Sequence, residues 1–135
     1  MAEPKMARYS NVVPAKKTVI GSKVVNQQNE DLGKIEDVVI DTDSGRIAYA
    51  VLTFGGFLGM GDKYFAIPWE AFRFSLTENR AVLNVEKRLL ENAPGFNKDS
   101  WPNMADPTWG KQIFTHYGYK PYWAQPPTGS VRDRI

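Results

Sequence analysis

Residues 33 to 69 constrain the fold more than any other part of the chain. Val38, Val39, Ile40, Ile47, Tyr49, Val51, Leu52 and Phe54 are β-branched, aromatic or leucine, and turn residues bound each run. Such runs are either buried strands or buried helix, and their length between Gly and Asp punctuation decides for strands. The stretch reads as three consecutive strands of a small barrel. Between the first two, Asp41-Thr42-Asp43-Ser44-Gly45 fits a type I hairpin turn closed by a glycine in the left-handed region, which makes those strands antiparallel. After the second strand, Gly55, Gly56, Gly59 and Gly61 alternate with Phe57, Leu58 and Met60. This bend is too rich in glycine for a strand interior and too apolar for an ordinary solvent loop.

Shorter signals flank this centre. A first strand is expected at Lys23-Val24-Val25-Asn26, followed by a polar turn, with Gly33 placed where strands come close. Pro68-Trp69-Glu70-Ala71-Phe72 reads as a strand end passing into one helical turn. Ala81-Val82-Leu83-Asn84-Val85 alternates as a further strand, and helical turns from Glu86 to Asn92 stop at Pro94-Gly95. Asp106-Pro107 opens a helix with an N-cap and a proline at its first position, and Gly118 ends it. Trp109, Ile113 and Tyr117 share one face of that helix, with Trp101, Tyr119, Tyr122 and Trp123 around it. So aromatic a face is expected to pack on the outer wall of the barrel or on a second subunit.

The expected organisation is a flexible leader over 1–17, the barrel over 18–90, a helical and aromatic extension over 91–123 and a frayed tail over 124–135. A chain of 135 residues buries enough surface for one core. It has no cysteine, which removes disulfides, thiolate metal sites and cysteine nucleophiles. The longest uncharged run, between Arg46 and Asp62, is 15 residues and is broken by glycines, short of a membrane-spanning helix. The first residues lack the pattern of a secretory signal, so a cytoplasmic protein is expected, with membrane contact at most peripheral. Net charge is +2, but residues 1 to 23 carry Lys5, Arg8, Lys16, Lys17 and Lys23 against Glu3 alone. Residues 24 to 131 hold 10 basic and 13 acidic side chains, net −3, which argues against a nucleic-acid surface over the barrel.

Catalytic and metal chemistry find little support. Asp41-x-Asp43-x-Gly45 has its glycine one place too early for a calcium loop and too few ligands. The glycine-rich bend has neither the Walker nor the dinucleotide spacing. Glu70, between Trp69 and Phe72, has no carboxylate or histidine partner in sequence, and its expected role is to cap the helical turn. His116 falls late in the last helix, where a cation suits the dipole. No catalytic residue, metal or cofactor is expected. A small hydrolase using Glu70, Asp62 and His116 is the contrasting enzyme reading.

The runs Leu32-Gly33-Lys34-Ile35-Glu36-Asp37-Val38-Val39-Ile40-Asp41, Ser44-Gly45-Arg46-Ile47-Ala48-Tyr49-Ala50-Val51-Leu52, Phe54-Gly55-Gly56-Phe57-Leu58-Gly59 and Ile67-Pro68-Trp69-Glu70 resemble the PRC-barrel family over residues 18 to 90. Its members include the cytoplasmic part of the photosynthetic reaction centre H subunit and the C-terminal half of a ribosome-maturation factor. The transmembrane helix of the first and the N-terminal domain of the second are not read in this sequence. The resemblance implies a mainly β fold, a small, highly bent antiparallel barrel acting as a protein-interaction or assembly module without catalytic residues. In this chain the partner-binding residues are expected to be Phe57, Leu58, Met60, Trp109 and Trp123, with a homodimer as the simplest assembly. The alternative is an RNA- or ribosome-associated factor working through the basic leader.

Overall fold

The computed structural model describes residues 12–54, 63–75 and 78–126. These form six strands in one sheet: β1 (Lys23–Val25), β2 (Asp31–Asp41), β3 (Arg46–Phe54), β4 (Lys63–Pro68), β5 (Phe72–Ser75) and β6 (Arg80–Leu83), ordered β4-β3-β2-β1-β6-β5. The two edge strands, β4 and β5, are consecutive in the chain. Only the 3₁₀ turn Trp69–Ala71 joins them, and three residues reach at most about 10 Å. The ends of a six-stranded sheet meet across so short a link only if the sheet curls round on itself, so the connection itself dictates a barrel-like shape.

Most pairings are antiparallel, as expected, but β1 and β6 run parallel, with Val24 opposite Ala81. The cause is topological: the β5–β6 hairpin arrives from the far edge and meets β1 on the side that β2 leaves open. Strand β5 was not anticipated. Four residues, Phe-Arg-Phe-Ser, are too few to show a period, and they follow the helical turn without punctuation. The expected strand over 81–85 ends at Leu83, where Val85 N–H turns back to the Leu83 carbonyl at 2.8 Å.

Bending is concentrated in β2, the longest strand at 11 residues. Its pairing slips at Ile35/Asp37 and Val39/Ile40 against β3, and such bulges sharpen twist and bend the strand. Gly33 has φ of +113° and lies against β3 so closely that a Cβ there would overlap the Thr53 carbonyl oxygen. The residue is therefore required twice, by backbone conformation and by space. Asp41 Oδ1 accepts from Asp43 N–H at 2.9 Å and Ser44 N–H at 3.2 Å, and Gly45 at φ +76° closes the β2–β3 turn as its sequence predicts.

Inside the curl lie Val24, Leu32, Ile35, Leu52, Ile67 and Leu83, each at most 1 % exposed. Burial of each contributes about 1.5–3 kcal/mol. Before β1, Ala15–Val19 forms a single π-helical turn with Val19 buried. It is fixed to β2 where Gly21 N–H donates to the Ile35 carbonyl and Ile35 N–H to the Ser22 carbonyl. Helix α1 (Lys87–Glu91) buries Leu90. Helix α2 (Pro107–Tyr117) is capped by Asp106, which accepts from Thr108 N–H at 2.9 Å, and ends on Gly118 at φ +83°. It packs against β4 and buries Ile113, Phe114 and Tyr117.

Candidate interaction surface

The extension crosses back to the β2–β3 turn, and that crossing builds a surface cleft. Pro121 breaks the chain after α2 and the 3₁₀ turn Tyr122–Ala124 follows. Tyr122 Oη donates to Asp41 Oδ2 at 2.6 Å. The Arg46 guanidinium lies 5.3 Å from the Tyr122 ring centroid and donates from Nη1 to the Gln125 carbonyl at 3.0 Å. Gln125 Nε2 in turn donates to Glu70 Oε1 at 3.0 Å and to the Lys120 carbonyl at 2.6 Å. One polar chain thus joins the turn, the β4–β5 corner and the extension.

This network borders a cleft of about 350 Å³ lined by Arg46, Ile47, Trp69, Glu70, Phe114 and Tyr122. Its floor is aromatic and its rim carries one cation and one anion. The Tyr122 hydrogen bond, with the neighbouring backbone N–H groups, holds the Asp41 carboxyl below its usual range. Burial, and then the same hydrogen bond, pushes the Tyr122 hydroxyl up to about 12. Both Asp41 oxygens are thereby committed to protein donors.

The anticipated site residues separate into groups. Phe57, Leu58 and Met60 lie outside the described residues, as does Asp62. Trp109 is half-buried and meets Tyr49 edge-on, with ring centroids 5.4 Å apart. Trp123 is 46 % exposed, yet its inner edge packs on Phe114 and over Gly110. Glu70 opens into the cleft beside Tyr122, whereas His116 belongs to a separate shallow surface on α2 with Thr108 and Lys111. His116 Nε2 sits 3.0 Å from the Leu89 carbonyl oxygen. The hydrolase reading needs these two groups in one pocket, and they are not.

A second aromatic cluster lies at the start of β4. Tyr64 and Phe96 exchange backbone hydrogen bonds of 2.9 and 2.8 Å, which adds a bridge to the edge of the sheet. Trp101 completes the cluster at 6.0 Å from Tyr64 and 5.1 Å from Phe96, and it is 42 % exposed. Sequence reasoning grouped Trp101 and Trp123 on one aromatic face, but they top different clusters. It missed Arg46 and Gln125 altogether, because neither carries a local signal.

The fold is a six-stranded curled sheet with an eleven-residue bulged strand and a short corner turn, and a family model for the PRC-barrel domain matches residues 15–90. The chain belongs to the PRC-barrel family. Among solved structures, this PRC-barrel chain is similar to a 16S ribosomal RNA processing protein, RimM, from Pseudomonas aeruginosa, at 17% identity and a TM-score of 0.37. That match covers 57% of this chain and 48% of the other, so it spans about half the length of that protein. No curated protein matches the chain by sequence. Among the described residues of this PRC-barrel protein, no helix is long and apolar enough to cross a membrane.

Proposed function

We propose that this PRC-barrel chain is a cytoplasmic, non-enzymatic interaction module. It docks onto a protein partner, a second copy of itself in the simplest case, through the glycine-rich loop with Phe57, Leu58 and Met60 and through the aromatic extension with Trp109 and Trp123. In this reading residues 18–90 are the barrel and 91–123 the docking extension, flanked by a leader and a tail. The observation that carries the proposal is the exposure of two indoles on one extension, Trp101 at 42 % and Trp123 at 46 %. Large aromatics at the surface are characteristic of interface anchors. The separation of Glu70 from His116 favours docking over hydrolysis. Light scattering on the full chain tests the self-association reading. A dimer at tens of micromolar that becomes a folded monomer in the Phe57→Asp, Leu58→Asp double variant supports it, and a monomeric wild type overturns the homodimer.

A further inference from the structure

The strand registers place one side chain from every strand in a single transverse row. Tyr64 pairs with Thr53, Thr53 with Lys34, Lys34 with Lys23, Lys23 with Arg80 and Arg80 with Ser75. Directly paired residues project to the same face of a sheet. The row therefore reads aromatic, hydroxyl, cation, cation, cation, hydroxyl, with no acid and no aliphatic residue in it. Lys23 and Lys34 are both exposed.

Like charges set directly opposite each other on neighbouring strands destabilise a sheet, and here three stand side by side. The nearby acids form no ion pair with the two lysines and accept hydrogen bonds from neutral donors instead. Asp31 Oδ1 accepts from Gly33 N–H at 2.9 Å, Asp37 Oδ1 from Val38 N–H at 2.8 Å, and Glu36 Oε1 from the Thr53 hydroxyl at 2.8 Å. Arg80 has its own partner in Glu78 at 3.2 Å. Among the described residues neither lysine has an ion-pair partner. The fold thus holds two ammonium groups without ion-pair partners beside a guanidinium that is bound to Glu78 and to Asn29 Oδ1 at 2.9 Å.

We propose that this row is a binding site for single-stranded RNA. With strands about 4.8 Å apart the three cations span roughly 10 Å, a distance suited to two or three successive phosphates. At the β4 end Tyr64 leads to Trp101, whose exposed indole offers a stacking surface for an unpaired base. Cations that track a backbone, next to an aromatic that takes a base, are the two parts of single-strand recognition. A duplex presents no free base to the indole. The net negative charge of residues 24 to 131 conceals the row, since a sum along the sequence averages away what the register gathers. The site shares the Trp101 indole with the docking reading above, but its cation row is separate from that surface.

The test uses the full chain, a fluorescently labelled oligouridylate of about a dozen nucleotides, and anisotropy at several salt concentrations. Expected are saturable binding, quenching of tryptophan fluorescence, and a slope of log affinity on log salt of about −1.4 to −2 for two or three phosphate contacts. Lys23→Glu places an anion between Lys34 and Arg80, so it should weaken binding about tenfold or more and leave the melting temperature unchanged or raised. A lysine that merely supported the fold would lower it. Lys34→Gln, which removes the charge and keeps a polar side chain one atom shorter, should also weaken binding, and Trp101→Ala should weaken it without changing the salt slope. Three results overturn the proposal: no binding at low salt; binding that survives Lys23→Glu with Lys34→Gln but is lost in Lys5→Glu with Arg8→Glu; or equal binding of a polyglutamate peptide.

Discussion

The extension is attached to the barrel twice, by two kinds of chemistry. Helix α2 seats Ile113 and Phe114, each 1 % exposed, against β4 and Tyr49. A few residues later, Tyr122 and Gln125 reach Asp41, Arg46 and Glu70 through hydrogen bonds at the surface. The first seat gains from removing apolar area from water, which is non-directional. The second gains little net free energy per bond because water competes for every group, but its bonds fix direction. The helix therefore supplies the stability of the seam, while the polar turn sets where the chain crosses and so shapes the cleft.

Phe114 separates the two contributions best, since it lies under both. Its ring is 5.3 Å from Tyr49 on the helix side and 6.1 Å from each of Tyr122 and Trp123 on the other. Phe114→Ala should cost about 3–5 kcal/mol, a large part of the stability of an ordinary domain. Urea denaturation measures it. A loss under 1 kcal/mol would mean that the helix seat is not what holds the extension.

Gly110 comes next. A Cβ at this position would lie 2.8 Å from Tyr49 Oη and 2.9 Å from Trp123 Cη2, so the glycine sets how closely the helix meets both β3 and the crossing turn. Gly110→Val should force Trp123 outward and cost about 1–3 kcal/mol. A red-shifted tryptophan emission should accompany the loss. Unchanged emission would show that the helix had moved in place of the indole.

What the sequence discloses divides along a similar line. The Asp41 turn, the Asp106 cap and the Gly118 stop are decided within four or five residues, so residue identity suffices to place them. The bent barrel is implied only by the family resemblance, because the curl depends on β5 and on the strand order, which no short run of residues encodes. The parallel β1–β6 pairing and the Tyr122–Asp41 bond, 81 residues apart, depend on where the whole chain has already gone. No local pattern encodes them. Trp109 and Trp123 were legible as important aromatics, but their unequal exposure is set by Tyr49 and Gly110, which the pattern of α2 does not reveal.

The tyrosines sharpen the contrast with a change of sign. Tyr117 Oη, like Tyr49 Oη, is buried without a hydrogen-bond partner among the described residues, and burial raises its pKa. Tyr117→Phe deletes a desolvated hydroxyl and keeps the ring, so it should raise stability by about 1 kcal/mol. A decrease in a thermal melt would reveal an unseen partner, such as a buried water.

Tyr122→Phe should act in the opposite direction and more weakly, because this hydroxyl has a partner at a partly solvated site. Its clearest readout is the titration of Asp41 by NMR. The folded-state pKa of Asp41 lies below the ordinary 3.8, with the Tyr122 hydrogen bond as the first cause and the Ser44 and Asp43 N–H groups assisting. A carboxylate with a depressed folded-state pKa stabilises the fold above its unfolded value and loses that contribution as pH falls through the folded value. In the wild type this small contribution is therefore present above about pH 4 and fades below it. Tyr122→Phe should move the Asp41 pKa up towards 3.8 and flatten the acid limb of stability, while the backbone donors keep part of the depression. An Asp41 titration that does not respond to the substitution would show that the turn holds its own carboxylate unaided. The polar attachment would then rest on Arg46 and Gln125 alone, and the crossing turn would be free to lift from the cleft without any change at Asp41.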